Sequence, residues 1–229
     1  MISVVIPTMW KFEEFPNFLE ILVQHPLINE IIIIDNDRSA RPTRSVLNNV
    51  KVSLHDYGRN IFVNPAWNEG VRVATNNKIA IVNDDIIFDT RVFDAVYNVL
   101  GTVGCIGLNV TSPTPTGLIK IVPLTGQPTF GFGMLVFVTK YTYENIPDGL
   151  NIYYGDNFIF DNCLWRGLPI LLIENLFFYT PYATTTRTIL DGATRKSEEG
   201  LVYAEVITQH GRDPKIWCPH DSNVNQIII

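Results

Sequence analysis

The chain has 229 residues, 46% of them apolar and 17% charged, enough to bury a substantial core in one large domain or two intimately packed halves, and this composition excludes a disordered chain. Seventeen Lys and Arg against 23 Asp and Glu leave a formal net charge of −6, which gives no basic footprint and disfavours nucleic acid as a partner. Three cysteines, Cys105, Cys163 and Cys218, are odd in number and scattered, so buried thiols in a reducing compartment are expected rather than a disulfide framework.

The opening MISVVIPT has no basic leader and reaches Pro7 after a β-branched run, so it reads as a buried strand and not a secretion signal. EEFPNFLEILVQHP follows, with Phe15, Phe18, Leu19 and Leu22 on one helical face and Pro26 beyond its end. EIIIIDND is too hydrophobic on both faces for anything but an interior parallel strand. VKVSLHD predicts a third strand, PAWNEGVRVATNN a helix despite Gly70, and KIAIVNDD a fourth strand. This rhythm defines an open, mostly parallel α/β sheet flanked by helices, in which ligands bind beyond the carboxyl ends of the strands. Both IIIIDND and IAIVNDD place their acids at that edge.

The second half is less regular. TSPTPTG is a loop, GFGMLVFVTK a strand opened by closely spaced glycines, and YYGDNFIFDNCLWRG a loop running into a helix. LPILLIENLFFYT supplies one or two strands; its apolar run is broken by Glu174 and Asn175, and nothing in the chain reaches the ~18 apolar residues of a membrane span. From YATTTRT onward polar segments suggest a lid or tail. A soluble, cytoplasmic protein is expected, with a soft boundary near Thr111 separating residues 1–110 from residues 111–229 of one compact domain. Nothing in the sequence fixes the oligomeric state.

The triplet Asn83, Asp84, Asp85 asks for an explanation, because adjacent carboxylates repel and lose hydration when buried. One ordinary role is to cap a helix starting near Phe88. In the order SVVIPT, EIIIIDND, NPAWNEGVRVATNNKIAIVNDD, then GFGMLVF and YYGDNFIFDNCLWRG, the sequence resembles the GT-A glycosyltransferases, above all the inverting family 2 enzymes. The resemblance spans roughly residues 2 to 185. It implies a GT-A, Rossmann-like mixed sheet whose residues 1–110 bind a nucleoside-diphosphate sugar, a UDP-sugar being favoured, and whose residues 111–229 serve the acceptor, a glycan or other hydroxyl compound.

The chemistry fits that implication. A diphosphate bound to an acidic protein needs a cation, and a hard divalent ion, Mn²⁺ or Mg²⁺, held by carboxylates would supply it and stabilise the departing nucleoside diphosphate. By resemblance, Asp85 is the carboxylate closest to the metal, Asp84 is shared between metal and ribose, and Asn83, where the family carries Asp, keeps a neutral ribose contact. Asp35 resembles the acid that hydrogen-bonds the nucleobase, with Pro7 and Thr8 lining the same pocket and Asp37 in a lesser role or simply building a turn. Arg59 and Asn60 are candidates for phosphate or base. Trp67 stands where the family often has Arg, which removes a phosphate contact, and Asn68 is free to tie its helix to the sheet. Inverting transfer needs a base for the acceptor hydroxyl; Asp156 is the first candidate, with a helix cap as its alternative, and Asp161 the second. Trp165 is expected in the core rather than against a sugar.

The histidine that completes the metal sphere in many relatives has no counterpart in NLFFYTPYATTT. His210 and His220 lie later and are expected to be lone surface residues, while His25 and His55 read as structural, and His210, Cys218 and His220 lack a fourth ligand for zinc. Two other readings compete. A sugar-nucleotide nucleotidyltransferase would need a glycine-rich basic loop after the first strand, but PTMWKFEEFP has no glycine and one lysine, Lys11. A non-catalytic nucleotide- or saccharide-binding module is favoured by the acids replaced at Asn83 and Asn157.

Overall fold

The computed structural model describes residues 1–111, 117–125, 131–181 and 192–211. One eight-stranded sheet runs through both halves in the order β3-β2-β1-β4-β8-β6-β9-β7. Strands β1 (Ile2–Thr8), β2 (Ile28–Asp35), β3 (Val52–Asp56) and β4 (Lys78–Val82) are parallel neighbours. Strand β8 (Leu135–Thr139) enters antiparallel between β4 and β6 (Cys105–Leu108). Strand β9 (Ile170–Glu174) is parallel to β6, and β7 (Lys120–Pro123) closes the edge antiparallel to β9.

The apolar runs of β1, β2 and β4 follow from burial on both faces. Val5, Ile32, Ile34, Ile79 and Ile81 point to one core, which also takes Ala66, Trp67 and Val71 of α2 (Val63–Val73), Phe158 and Ile159 of α4 (Gly155–Trp165) and Tyr203 and Ile207 of α5 (Gly192–Gln209). Val4, Ile6, Ile31, Ile33, Ala80 and Val82 alternate onto the other face, against α1 (Phe15–Leu22) and α3 (Val92–Tyr97). Three layers result. Gly70 is tolerated within α2 because a Cβ there would lie 2.1 Å from Val5 Cγ1, so the helix seats on β1 only with a bare backbone.

Two local expectations change. No helix begins near Phe88. Ile87 and Phe88 form the short strand β5, antiparallel to β10 (Phe178–Tyr179), and α3 starts only at Val92. The acid serving that turn is Asp89, whose carboxylate accepts the Arg91 N–H at 3.0 Å. The polar stretch expected as a lid or tail contains α5, whose Tyr203 and Ile207 are fully buried. Among the described residues no helix is long and apolar enough to cross a membrane.

Candidate active site

The parallel strands end on one edge with Thr8, Asp35, Asp56 and the Asn83–Asp85 triplet. The Asn83 N–H donates to the Met134 carbonyl at 3.1 Å, continuing the β4–β8 ladder one step beyond the Val82–Leu135 pair. Asp84 is half-buried and accepts the Thr8 hydroxyl at 2.5 Å. Burial, and then the charge of Asp85, push its carboxyl up to about 6 against the Thr8 hydrogen bond. Asp85 is 8% exposed, and among the described residues its carboxylate has no hydrogen-bond or ion-pair partner. With no helix starting at Phe88, capping does not explain the pair.

The continued ladder leads to a second acid. The backbone N–H of Gly133, in the tight turn Phe132–Met134 that opens β8, donates to the Asp156 carboxylate, as does the Asn157 N–H at 3.0 Å. A Cβ on Gly133 would lie 2.5 Å from Asp156 Cβ and 2.7 Å from Oδ2, so only glycine lets α4 approach this turn. Burial raises the Asp156 carboxyl despite these donors. Asn83, Met134, Gly133 and Asp156 thus form one contiguous chain from the triplet to the first residues of α4. The structure brings together the two acid clusters that lie more than 70 residues apart in sequence.

Helix α5 fixes that second wall. The buried Glu199 carboxylate accepts the N–H groups of Ile152 at 3.0 Å and Tyr153 at 2.8 Å. Tyr154, in the left-handed region at φ +61°, stacks on Tyr203 with ring centroids 5.1 Å apart. The Tyr203 hydroxyl donates to Asp161, which is 4% exposed. Burial pushes Asp161 up to about 7, lowered by that hydrogen bond and raised by the charge of Asp156. Asp161 is therefore spent on the core side of α4. Glu199 and Tyr203 were not singled out in the sequence; a Glu on a predominantly polar helix reads as a solvated charge, and its backbone partners lie 46 residues or more away.

At the other end Asp35 is fully buried, and both its carboxylate oxygens are engaged. Oδ1 accepts the Trp10 indole N–H at 2.8 Å and the Asp37 N–H at 3.2 Å, while Oδ2 takes Nε and Nη2 of Arg41. Arg41 Nη2 also reaches Asp56 at 3.2 Å, tying β2 to β3. Trp10 sits at φ +59°, a left-handed conformation costing a non-glycine residue roughly 1 kcal/mol; its own N–H donates to Thr8 Oγ1 at 2.8 Å. Asp37 is lowered mainly by the Ser39 hydroxyl and holds Lys11 at 3.3 Å, which is turn building. Pro7 is buried beside Ile34.

The remaining candidates are less concentrated. Arg59 is exposed. Asn60 accepts the Phe62 N–H at 2.7 Å, ordering the entry to α2, where Phe62 itself has φ +67°. Asn68 accepts from the Tyr143 hydroxyl and the Ile146 N–H at 2.7 and 2.8 Å and donates to the Ile146 carbonyl, so it ties α2 to the segment following β8. Trp67 is 4% exposed in the core. Trp165 packs against Phe158 and stacks on His210 at 4.1 Å, His25 lies 3.4 Å from Asp94, and His55 pairs with Ser53. Cys105 and Cys163 are buried free thiols in mutual contact, with the Cys105 thiol raised by its Cys163 neighbour and by burial. His220 and Cys218 lie outside the described residues.

No group of three His, Cys, Asp or Glu gathers as a metal cluster among the described residues. What fits a divalent ion is narrower. Asp85 offers a carboxylate without a partner among the described residues, beside a second carboxylate whose ionisation its charge opposes. A hard cation with oxygen ligands matches that donor set.

A mixed sheet of this order, flanked by helices on both faces, is the GT-A fold. Solved structures share it. S. aureus TarS 1-349 in complex with UDP-GlcNAc superposes with a TM-score of 0.66 at 12% identity, covering 90% of this chain and 66% of that one. GalNAc-T7 with UDP, GalNAc and Mn²⁺ gives 0.61 at 15% identity, covering 91% of this chain and 48% of that one. The chain therefore spans about two thirds and about half of these proteins. No protein-family model matches the sequence, and neither does any curated protein.

Proposed function

We propose that the protein is a glycosyltransferase that moves a sugar from a nucleoside-diphosphate sugar, with UDP-sugars favoured, to an acceptor hydroxyl by inverting displacement. The observation that carries this reading is the junction of the triplet to Asp156 through Met134 and Gly133. It sets two acid clusters of different character side by side. Neighbours of the same fold that hold UDP, UDP-GlcNAc or Mn²⁺ support it.

In this reading Asp85 and Asp84 hold Mn²⁺ or Mg²⁺. When bound, that ion neutralises the diphosphate and stabilises the leaving nucleoside diphosphate. Asn83 hydrogen-bonds the ribose, and Asp35 with Thr8 and Pro7 forms the base end, flanked by Asn60 and Arg59. Asp156 takes the proton of the acceptor hydroxyl as that oxygen attacks the anomeric carbon. A carboxylate raised by burial is a better base for this than a solvated one. Asp161, bonded to Tyr203, supports the helix rather than the proton transfer.

The test is transfer and hydrolysis measured on a panel of nucleotide sugars with and without Mn²⁺. Asp85→Ala should abolish the metal dependence of nucleotide binding and lower turnover on the order of 10²–10³-fold. Asp156→Asn should lower kcat about 10²–10⁴-fold with donor affinity intact. No turnover of any donor, together with nucleotide binding indifferent to Asp85→Ala, sinks the enzyme reading.

A further inference from the structure

Asp35 presents a difficulty for any nucleobase reader, and Trp10 resolves it. Oδ1 already accepts two hydrogen bonds, from the Trp10 indole and the Asp37 N–H, while Oδ2 holds the Arg41 guanidinium, hydrogen-bonded through Nε and ion-paired through Nη2. A base N–H arriving at Oδ1 finds both acceptor positions of that oxygen taken. The three donors other than Trp10 belong to the frame. Asp37 lies two residues on in the same turn, and Arg41 is pinned between Asp35 and Asp56 at the ends of β2 and β3.

Trp10 differs from them on each point. It is half-buried, lies in the connection between β1 and α1, and is held in a left-handed conformation by its hydrogen bonds to Thr8 and Asp35 and a tilted ring contact with Phe15 at 5.5 Å. A non-glycine residue kept at such a φ stores strain that its surroundings hold in place, and such strain clusters at ligand clamps. We propose that Trp10 is a specificity-determining residue of the donor pocket, its indole N–H occupying the Asp35 oxygen that a nucleobase imide N–H takes when the donor binds. Binding then exchanges one N–H donor for another on the same oxygen and releases the strained turn. A base whose ring nitrogen at that position bears no hydrogen cannot displace the indole there, which makes Trp10 a filter for bases that present a ring imide N–H to Asp35. The Trp10 backbone is bonded to Thr8, whose hydroxyl is bonded to Asp84, so the exchange reaches the triplet by two hydrogen bonds. The inference rests on the donor-site reading above.

Calorimetric titration of UDP and N3-methyl-UDP, with Mn²⁺, into wild type and Trp10→Phe tests it. Phenylalanine keeps a ring against Phe15 and removes the N–H. Wild type should bind UDP, Trp10→Phe should bind it roughly tenfold tighter, and N3-methyl-UDP should gain nothing. Equal or weaker UDP binding by Trp10→Phe overturns the proposal while leaving the donor site standing. Absence of binding by every nucleotide to both proteins overturns the functional reading and the proposal with it. A second readout needs no variant to be stable. In ¹⁵N-labelled wild type, the Trp10 indole N–H signal should move on UDP saturation, and a signal that stays in place refutes the exchange.

Discussion

At the residue scale the site depends on where side chains are missing as much as on where acids are present. Asp156 is placed by a turn that has no Cβ at position 133, and its carboxylate is held by that turn's backbone N–H. Gly133→Ala should force Asp156 away from Met134 by a substantial fraction of an ångström, since its Cβ would stand 2.5 Å from the Asp156 Cβ, an unyielding neighbour. Misplacing a reacting group on that scale costs about 10²-fold in rate. Steady-state kinetics should show kcat falling by that order with Mn²⁺-dependent UDP affinity retained, because Asp84 and Asp85 hang from β4. An unimpaired kcat would mean that Asp156 is not the base.

At the scale of elements, α5 is the unexpected participant. Glu199 anchors two consecutive N–H groups just before Gly155, and Tyr203 anchors Asp161 one helical turn further on. Glu199→Ala removes the acceptor of both partly buried amides, at a cost of about 2–4 kcal/mol. Urea unfolding should report that loss, and turnover should fall through kcat while donor KM stays constant. Glu199→Gln retains an acceptor oxygen and should restore much of both. A donor KM that rises in step with the loss of kcat would place α5 at the donor end instead. What the sequence made legible follows the same division. Strands β1, β2 and β4 bury both faces, so their apolar runs announce themselves, and the Asn83–Asp85 triplet stands out because it interrupts such a run. Helix α5 hides because few of its side chains are buried and its key contacts are polar, long-range and specific to the fold. Strand β6 is four residues long and β7 is half-exposed, too short and too mixed to carry a period. The engagement of Asp35 by Trp10 and Arg41 was equally invisible, since hydrogen bonds across 25 and six residues leave no pattern in composition.

At the scale of the whole molecule, the acids of the sheet edge and of α4 differ in how burial is met. Asp35 and Asp56 are compensated by Arg41, but Asp84, Asp156 and Asp161 are all raised by burial. A carboxyl whose pKa is higher folded than unfolded binds more protons in the native state across the interval between the two values, so stability falls as pH rises through it. For Asp161 that interval runs from the ordinary value of 3.8 to about 7. Groups shifted the other way, such as Glu69, held down to about 2 first by its Arg72 hydrogen bond, change the balance only below their ordinary values, in acid. Between pH 5 and 8 the raised acids therefore set the slope. Without divalent cation, urea unfolding should give a lower stability at pH 8 than at pH 5, with Asp161 alone contributing roughly 2–4 kcal/mol. Asp161→Asn keeps an acceptor for the Tyr203 hydroxyl and has no proton to lose, so it should flatten that slope and be the more stable protein at pH 8. A wild type whose stability is level across this range, or a variant with an unchanged slope, would show that Asp161 ionises in the native state as easily as in water.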